Sequence, residues 1–167
     1  MIEMLVSGIA LDVRSGLPLV ILNDKENKCT LPIWIGHAEA QAIARALEDI
    51  KTERPMTHDL MVGLLDTLEA DIDSVEIHSF ENSTFFASII MTDRDENTIT
   101  IDARPSDAIS IALRVDCPVY VSEDILYSDT SDHKDIIVKE DQDFEAFQQF
   151  LKDVKASDFT LKGKDKD

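Results

Sequence analysis

The residues able to do chemistry in this chain are mainly carboxylates and arginines. They are densest in the stretch Ile99 to Arg114, ITIDARPSDAISIALR. Ile99 and Ile101 alternate with Thr100 and Asp102, the period of a half-buried strand. Pro105 suits the first position of a helix, where a missing N–H costs nothing. Asp107 falls in that helix's first turn, where negative charge is favoured. Ala108, Ile109, Ile111, Ala112 and Leu113 then give a largely apolar helix. A polar corner bearing Asp102, Arg104, Ser106 and Asp107 is thus expected against a dry core. Carboxylates are the ligands hard Mg²⁺ or Mn²⁺ would use, and arginine forks suit phosphate oxygens. Two readings stay open: a metal and phosphate site, or Asp102, Arg104, Asp107 and Arg114 pairing with one another to fix the corner.

Further candidates lie upstream. Glu39 is expected in the first turn of a helix over residues 37–50, where the helix dipole alone would favour it. His58 and Asp59 are expected in the first turn of the next helix, and Arg54 in the loop before it. Adjacent helical residues diverge by about 100°, so His58 and Asp59 need not share one ligand. There is no glycine-rich phosphate loop, no GxSxG, no HExxH and no CxxC pair. Cys29 and Cys117 read as reduced, buried thiols.

The net charge of −18 is not confined to one end. Residues 1–121 hold 9 Lys/Arg against 21 Asp/Glu, a balance of about −12. Such a surface repels phosphate backbones, so a nucleic-acid substrate needs local arginines or bound cations. No apolar run approaches membrane-spanning length, and no basic patch followed by an apolar run opens the chain. A soluble, cytoplasmic protein with no membrane partner is expected.

The elements that must position these residues read as α+β, with a mainly antiparallel sheet. Strands are expected over 3–13, 17–22 and 29–35, then the helix over 37–50. A second helix is expected to be capped by Thr57 and to bury Leu60, Leu64, Leu65 and Leu68. Strands over 72–80, 84–92 and 98–103 lead back to the polar corner, and residues 118–121 add a short strand. Two strand-meander-plus-helix units result. Laid over each other without a gap, they set Ile33 on Ile99, Ile35 on Ile101 and Ala42-Ile43 on Ala108-Ile109, a candidate internal duplication. Residues 1–125 form the expected domain. Residues 126–167 form an acidic appendage with one short helix over 143–154 and a disordered end. The alanine-rich helix and the open sheet edges predict a homo-oligomer, a dimer first.

Four segments, in order, carry a resemblance. They are Leu31-Pro32-Ile33-Trp34-Ile35-Gly36, Glu39-Ala40-x-Ala42-Ile43, Arg54-Pro55-Met56-Thr57-His58-Asp59-Leu60, and Asp102-Ala103-Arg104-Pro105-Ser106-Asp107-Ala108-Ile109. Together they resemble the bifunctional nuclease family over roughly residues 1–125. The resemblance implies cleavage of both RNA and DNA. Residue chemistry and motif membership then assign roles. Asp102 and Asp107, with Glu39 or Asp59, would hold one or two divalent cations, Mg²⁺ or Mn²⁺. Arg104, Arg54 and Arg114 would bind substrate phosphate, and His58 would protonate the leaving oxygen. Asp107→Asn is then expected to lower activity and, by relieving repulsion, to leave metal-free stability unchanged or raised. The competing function is a non-catalytic regulatory or stress-related module, acting as a homo-oligomer through its acidic surface.

Overall fold

Each half of the chain begins as an antiparallel meander, because its strands alternate in polarity and are joined by tight polar turns. The computed structural model describes residues 1–12 and 15–127, with the backbone of 138–139. The first meander is β1 (Ile2–Leu11), β2 (Pro18–Asp24) and β3 (Cys29–Trp34), followed by α1 (His37–Leu47) and α2 (Thr57–Thr67). The second is β4 (Asp71–Glu81), β5 (Thr84–Thr92) and β6 (Thr98–Ala103), followed by α3 (Pro105–Val115). β7 (Val119–Val121), α4 (Glu123–Tyr127) and the two-residue β8 (Val138–Lys139) complete the described elements.

β7 joins the two meanders into one sheet of order β6-β5-β4-β7-β1-β2-β3-β8. It runs parallel to β4 and antiparallel to β1, and every other pairing is antiparallel. The fold is therefore α+β on a mainly antiparallel sheet. α1 and α3 lie against each other and against the sheet. Leu22, Leu31, Ile43, Val75, Ile77, Ile109 and Ile111 are fully buried in the core they share. No helix among the described residues is long and apolar enough to cross a membrane.

The element order of the two halves matches, and both corners enter their helix through an extended residue. Gly36 has φ −76°, ψ 164°, and Arg104 has φ −70°, ψ 144°. Aligning the helix starts sets His37 on Pro105 and Glu39 on Asp107. That is two residues out of step with the match that set Ile33 on Ile99. α2 has no counterpart in the second half.

The alanines of α1 allow a close approach to α3, with Ala40 fully buried and Ala38 exposed. One expectation about exposure is reversed. The leucines of α2 face outward, with Leu60 55%, Leu64 53% and Leu68 67% exposed. α2 is held instead by its N-terminal end, where His58 is its buried residue. Nor does Thr57 cap this helix. Met56 is the N-cap, and its N–H donates to Asp59 Oδ2 at 2.8 Å. The leucine ridge repeats every fourth residue, the spacing at which two such helices interdigitate. The sequence of α2, THDLMVGLLDT, carries no Lys or Arg and few acids, so it is a charge-poor strip on an acidic chain. We expect a twofold dimer with ridge against ridge. Light scattering at micromolar concentration should report a dimer and Leu64→Glu a monomer; a monomeric wild type would end this expectation.

The expected domain boundary at residue 125 falls within α4, whose Ile125 and Leu126 are buried. Val138 and Lys139 pair with Thr30 and Cys29 at the sheet edge. The helix expected over 143–154 and the end at 160–167 lie outside the described residues.

Candidate active site

Three helices each carry an acid as their third residue: Glu39 on α1, Asp59 on α2 and Asp107 on α3. The position follows from the unpaired N–H groups and positive dipole end of a helix N-terminus. The functional question is what else these carboxylates hold.

At the β6–α3 corner, Arg104 Nε donates to Asp107 Oδ2 at 2.6 Å and Nη2 donates to Oδ1 at 3.0 Å. This is a two-pronged guanidinium–carboxylate pair. Nη1 of the same side chain donates to Glu39 Oε1 at 2.9 Å. The two strand-to-helix corners, 65 residues apart, therefore meet at one guanidinium. His58 Nε2 lies 3.1 Å from Asp107 Oδ1, so α2 joins the same network. Burial works against ionisation of Asp107. The hydrogen bonds and charge of Arg104 and His58 outweigh it and hold the carboxyl below its ordinary range.

Asp59 points elsewhere. Its Oδ1 accepts from Arg114 Nε at 2.6 Å, and that bond with the Met56 N–H lowers its pKa. Arg114 also donates to the Ser110 carbonyl at 2.7 Å and the Ala42 carbonyl at 3.4 Å. With its side chain only 12% exposed, Arg114 ties α1, α2 and α3 together.

These groups line a groove of about 730 Å³ bounded by α1, α2 and the β6–α3 corner. Glu39, His58, Asp102, Arg104, Asp107 and Arg114 all contribute to its wall. Asp102 is exposed on β6, where its backbone pairs with Ser88, and its carboxylate is not part of the Arg104 network. Arg54 is exposed in the loop before α2 and does not line the groove. Of the candidates, Glu39, His58, Arg104 and Asp107 thus form one network and Asp59 and Arg114 a second, while Asp102 and Arg54 stand apart. Sequence reasoning missed Arg45, a third arginine of the groove wall, which the pattern gave only as part of the polar stripe of α1. Burial pushes the Cys117 thiol up to about 11, which leaves it a poor nucleophile at neutral pH.

Among the described residues no three His, Cys, Asp or Glu side chains are placed to hold one ion. The cation lying between Glu39 and Asp107 is the Arg104 guanidinium.

A family model described as the bifunctional nuclease domain matches residues 20–134. The chain belongs to that family. Among its relatives is an uncharacterized protein of Mycobacterium tuberculosis, 35% identical over 163 residues, covering 94% of this chain and 97% of that protein. Bifunctional nuclease 2 of Oryza sativa subsp. japonica is 28% identical over 115 residues, 67% of this chain and 35% of the rice protein. Bifunctional nuclease 1 of Arabidopsis thaliana is 24% identical over 115 residues, again 35% of its own length. This chain therefore spans about a third of those plant proteins. The groove residues lie within the family match, and the domain's two corners are what close it.

Gly36 gives a way to test that junction without touching a charge. Glu39 folds back over it, and a Cβ at Gly36 would overlap Glu39 Oε2. The backbone there is ordinary for any residue. Gly36→Ala should therefore swing the Glu39 carboxylate away from Arg104 at little cost in stability. We expect a melting temperature within about 2 °C of wild type and a several-fold loss of whatever activity the groove supports. A variant with unchanged turnover would show that Glu39 does not position Arg104.

Proposed function

We propose that this chain is a cytoplasmic phosphodiesterase that hydrolyses RNA and DNA in the groove where its two strand-to-helix corners meet. The observation that carries the reading is Arg104, shared between Glu39 and Asp107 with His58 on the far side of Asp107. Family membership and the names of the plant relatives support it.

In this reading Arg104 has five N–H donors, of which three are engaged in the bonds to Asp107 and Glu39. The remainder face a groove from a side chain that is 64% exposed, free to take phosphate oxygens and the charge that develops on them. Asp107 holds His58 through Nε2, leaving Nδ1 as the ring nitrogen that exchanges a proton with substrate. Water attacks phosphorus and gives up a proton to solvent, the bond from phosphorus to the leaving sugar oxygen breaks, and protonated His58 delivers the proton that oxygen needs and is reprotonated from solvent. Arg45 and Arg114 oppose the chain's negative field along the groove.

An ion held by Glu39 and Asp107 would take the place of the guanidinium, so Mg²⁺ or Mn²⁺ and Arg104 compete for the same oxygens. The test is cleavage of labelled single-stranded RNA and DNA by His58→Ala and Arg104→Ala beside wild type, with Mg²⁺, with Mn²⁺ and with EDTA. Wild-type turnover lost in both variants supports the reading. Absence of wild-type turnover in all three conditions returns the domain to the non-catalytic class.

A further inference from the structure

A second cavity, of about 530 Å³, opens on the other side of Arg104. It lies between the β3–α1 corner and the β4–β5 hairpin, and Glu39 and Arg104 form part of its wall as well as that of the groove. Its remaining character is aromatic. Trp34, the last residue of β3, is 44% exposed and lines it. Phe80 and Phe85, opposed across the β4–β5 pair, face each other with ring centroids 4.4 Å apart. Ser83, exposed in the hairpin turn, adds a hydroxyl at the rim.

We infer that this cavity is a subsite for an unpaired nucleobase of the strand whose phosphate lies on Arg104. The inference rests on the nuclease reading above and gives it a substrate form, single-stranded nucleic acid. A large exposed indole at a strand end gains nothing from the core, yet a base presents it with a flat apolar face. Arg104 lies between the groove and this cavity, so one side chain touches both the phosphate and the space its attached base must enter. Stacking also suits a chain of net charge −18. Binding that draws on aromatic faces releases few counterions and stays effective where basic patches are scarce. A duplex cannot fill the cavity without extruding a base, which costs a few kcal/mol.

Trp34 is the sole tryptophan of the chain, so its fluorescence reports on this cavity alone. The experiment titrates the full-length His58→Ala protein with an eight-nucleotide single-stranded DNA and with a blunt duplex of the same sequence. Trp34 emission is followed, and anisotropy of a labelled strand gives binding. The expected result is saturable quenching by the single strand and little by the duplex, with binding weakened roughly 5- to 150-fold by Trp34→Leu. Phe85→Leu should weaken it in the same direction and covers the case in which Trp34→Leu fails to fold. Binding that leaves Trp34 unquenched, or equal quenching by the duplex, overturns the subsite. Cleavage by wild type with Trp34 unquenched sinks the subsite and leaves the nuclease reading standing. Quenching by single strand without any wild-type cleavage does the opposite.

Discussion

Asp107→Asn should lose at least tenfold in turnover, about 1.4 kcal/mol in the barrier, and should also melt at a lower temperature than wild type. The carboxylate holds Arg104 by two hydrogen bonds and His58 by a third. An amide of the same shape cannot accept from all three donors, and it presents an N–H₂ to one of them. The loss of stability reverses what the sequence predicts. That expectation rests on repulsion between Asp102 and Asp107, whereas Asp107 is paired with two side chains, Arg104 and His58, and Asp102 is exposed on β6. Turnover must therefore be compared at temperatures where both proteins are folded. Arg104→Ala should behave differently toward ions: with the guanidinium gone, Mn²⁺ should raise its melting temperature more than it raises that of wild type. An equal shift in the two proteins would remove Glu39 and Asp107 as the shared oxygens.

The largest effect on stability should come from Asp59→Ala. It leaves the Arg114 guanidinium, 12% exposed, without a carboxylate, and removes the acceptor for the Met56 N–H at the start of α2. Breaking this part-buried ion pair from one side costs about 2 kcal/mol, less than a fully buried pair would, so the melting temperature should fall by roughly 6 °C. Arg114→Met should cost less, because the Asp59 it strands is 37% exposed and can be hydrated. If the two losses are equal, Arg114 is not the buried partner that sets the penalty. Acid should act on the same groups. The carboxyls of Asp59 and Asp107 are held below their ordinary values in the folded chain. Their stabilisation is therefore complete above about pH 4 and lost as pH falls through the lowered folded values. A double Asp59→Asn, Asp107→Asn variant should lose part of that acid-side slope in melting temperature.

The fold was legible where local chemistry decides it. The alternation in β1 to β6, and Pro105 at the start of α3, are properties of short segments, and each element stands where its pattern put it. The exposure of α2 was not legible. A row of leucines four apart reads as a buried face, but here His58 and Asp59 at the helix N-terminus hold it to α3, and the ridge is left outside. The parallel placement of β7 beside β4 depends on contacts between distant segments, which no pattern in residues 118–121 records. The site divides the same way. Glu39, His58, Arg104 and Asp107 could be named by type and motif, because helix N-termini favour acids and the corner interrupts a strand. Their convergence on one guanidinium, and the departure of Asp59 to Arg114, follow from how α1, α2 and α3 pack. The aromatic cavity went unread because Trp34 belongs to the first meander and Phe80 and Phe85 to the second, strands well apart in the sheet order, and each alone looks like an ordinary strand residue.

In the proposed reading the meeting point of the two corners carries out phosphodiester hydrolysis, with His58 moving the proton. The most direct measurement is single-turnover cleavage of a labelled single-stranded oligonucleotide by wild type and His58→Ala, purified side by side and assayed below both melting temperatures. Cleavage by wild type with a loss of about 10²-fold or more in His58→Ala is the predicted result. Equal rates in the two proteins would assign the cleavage to something other than this site.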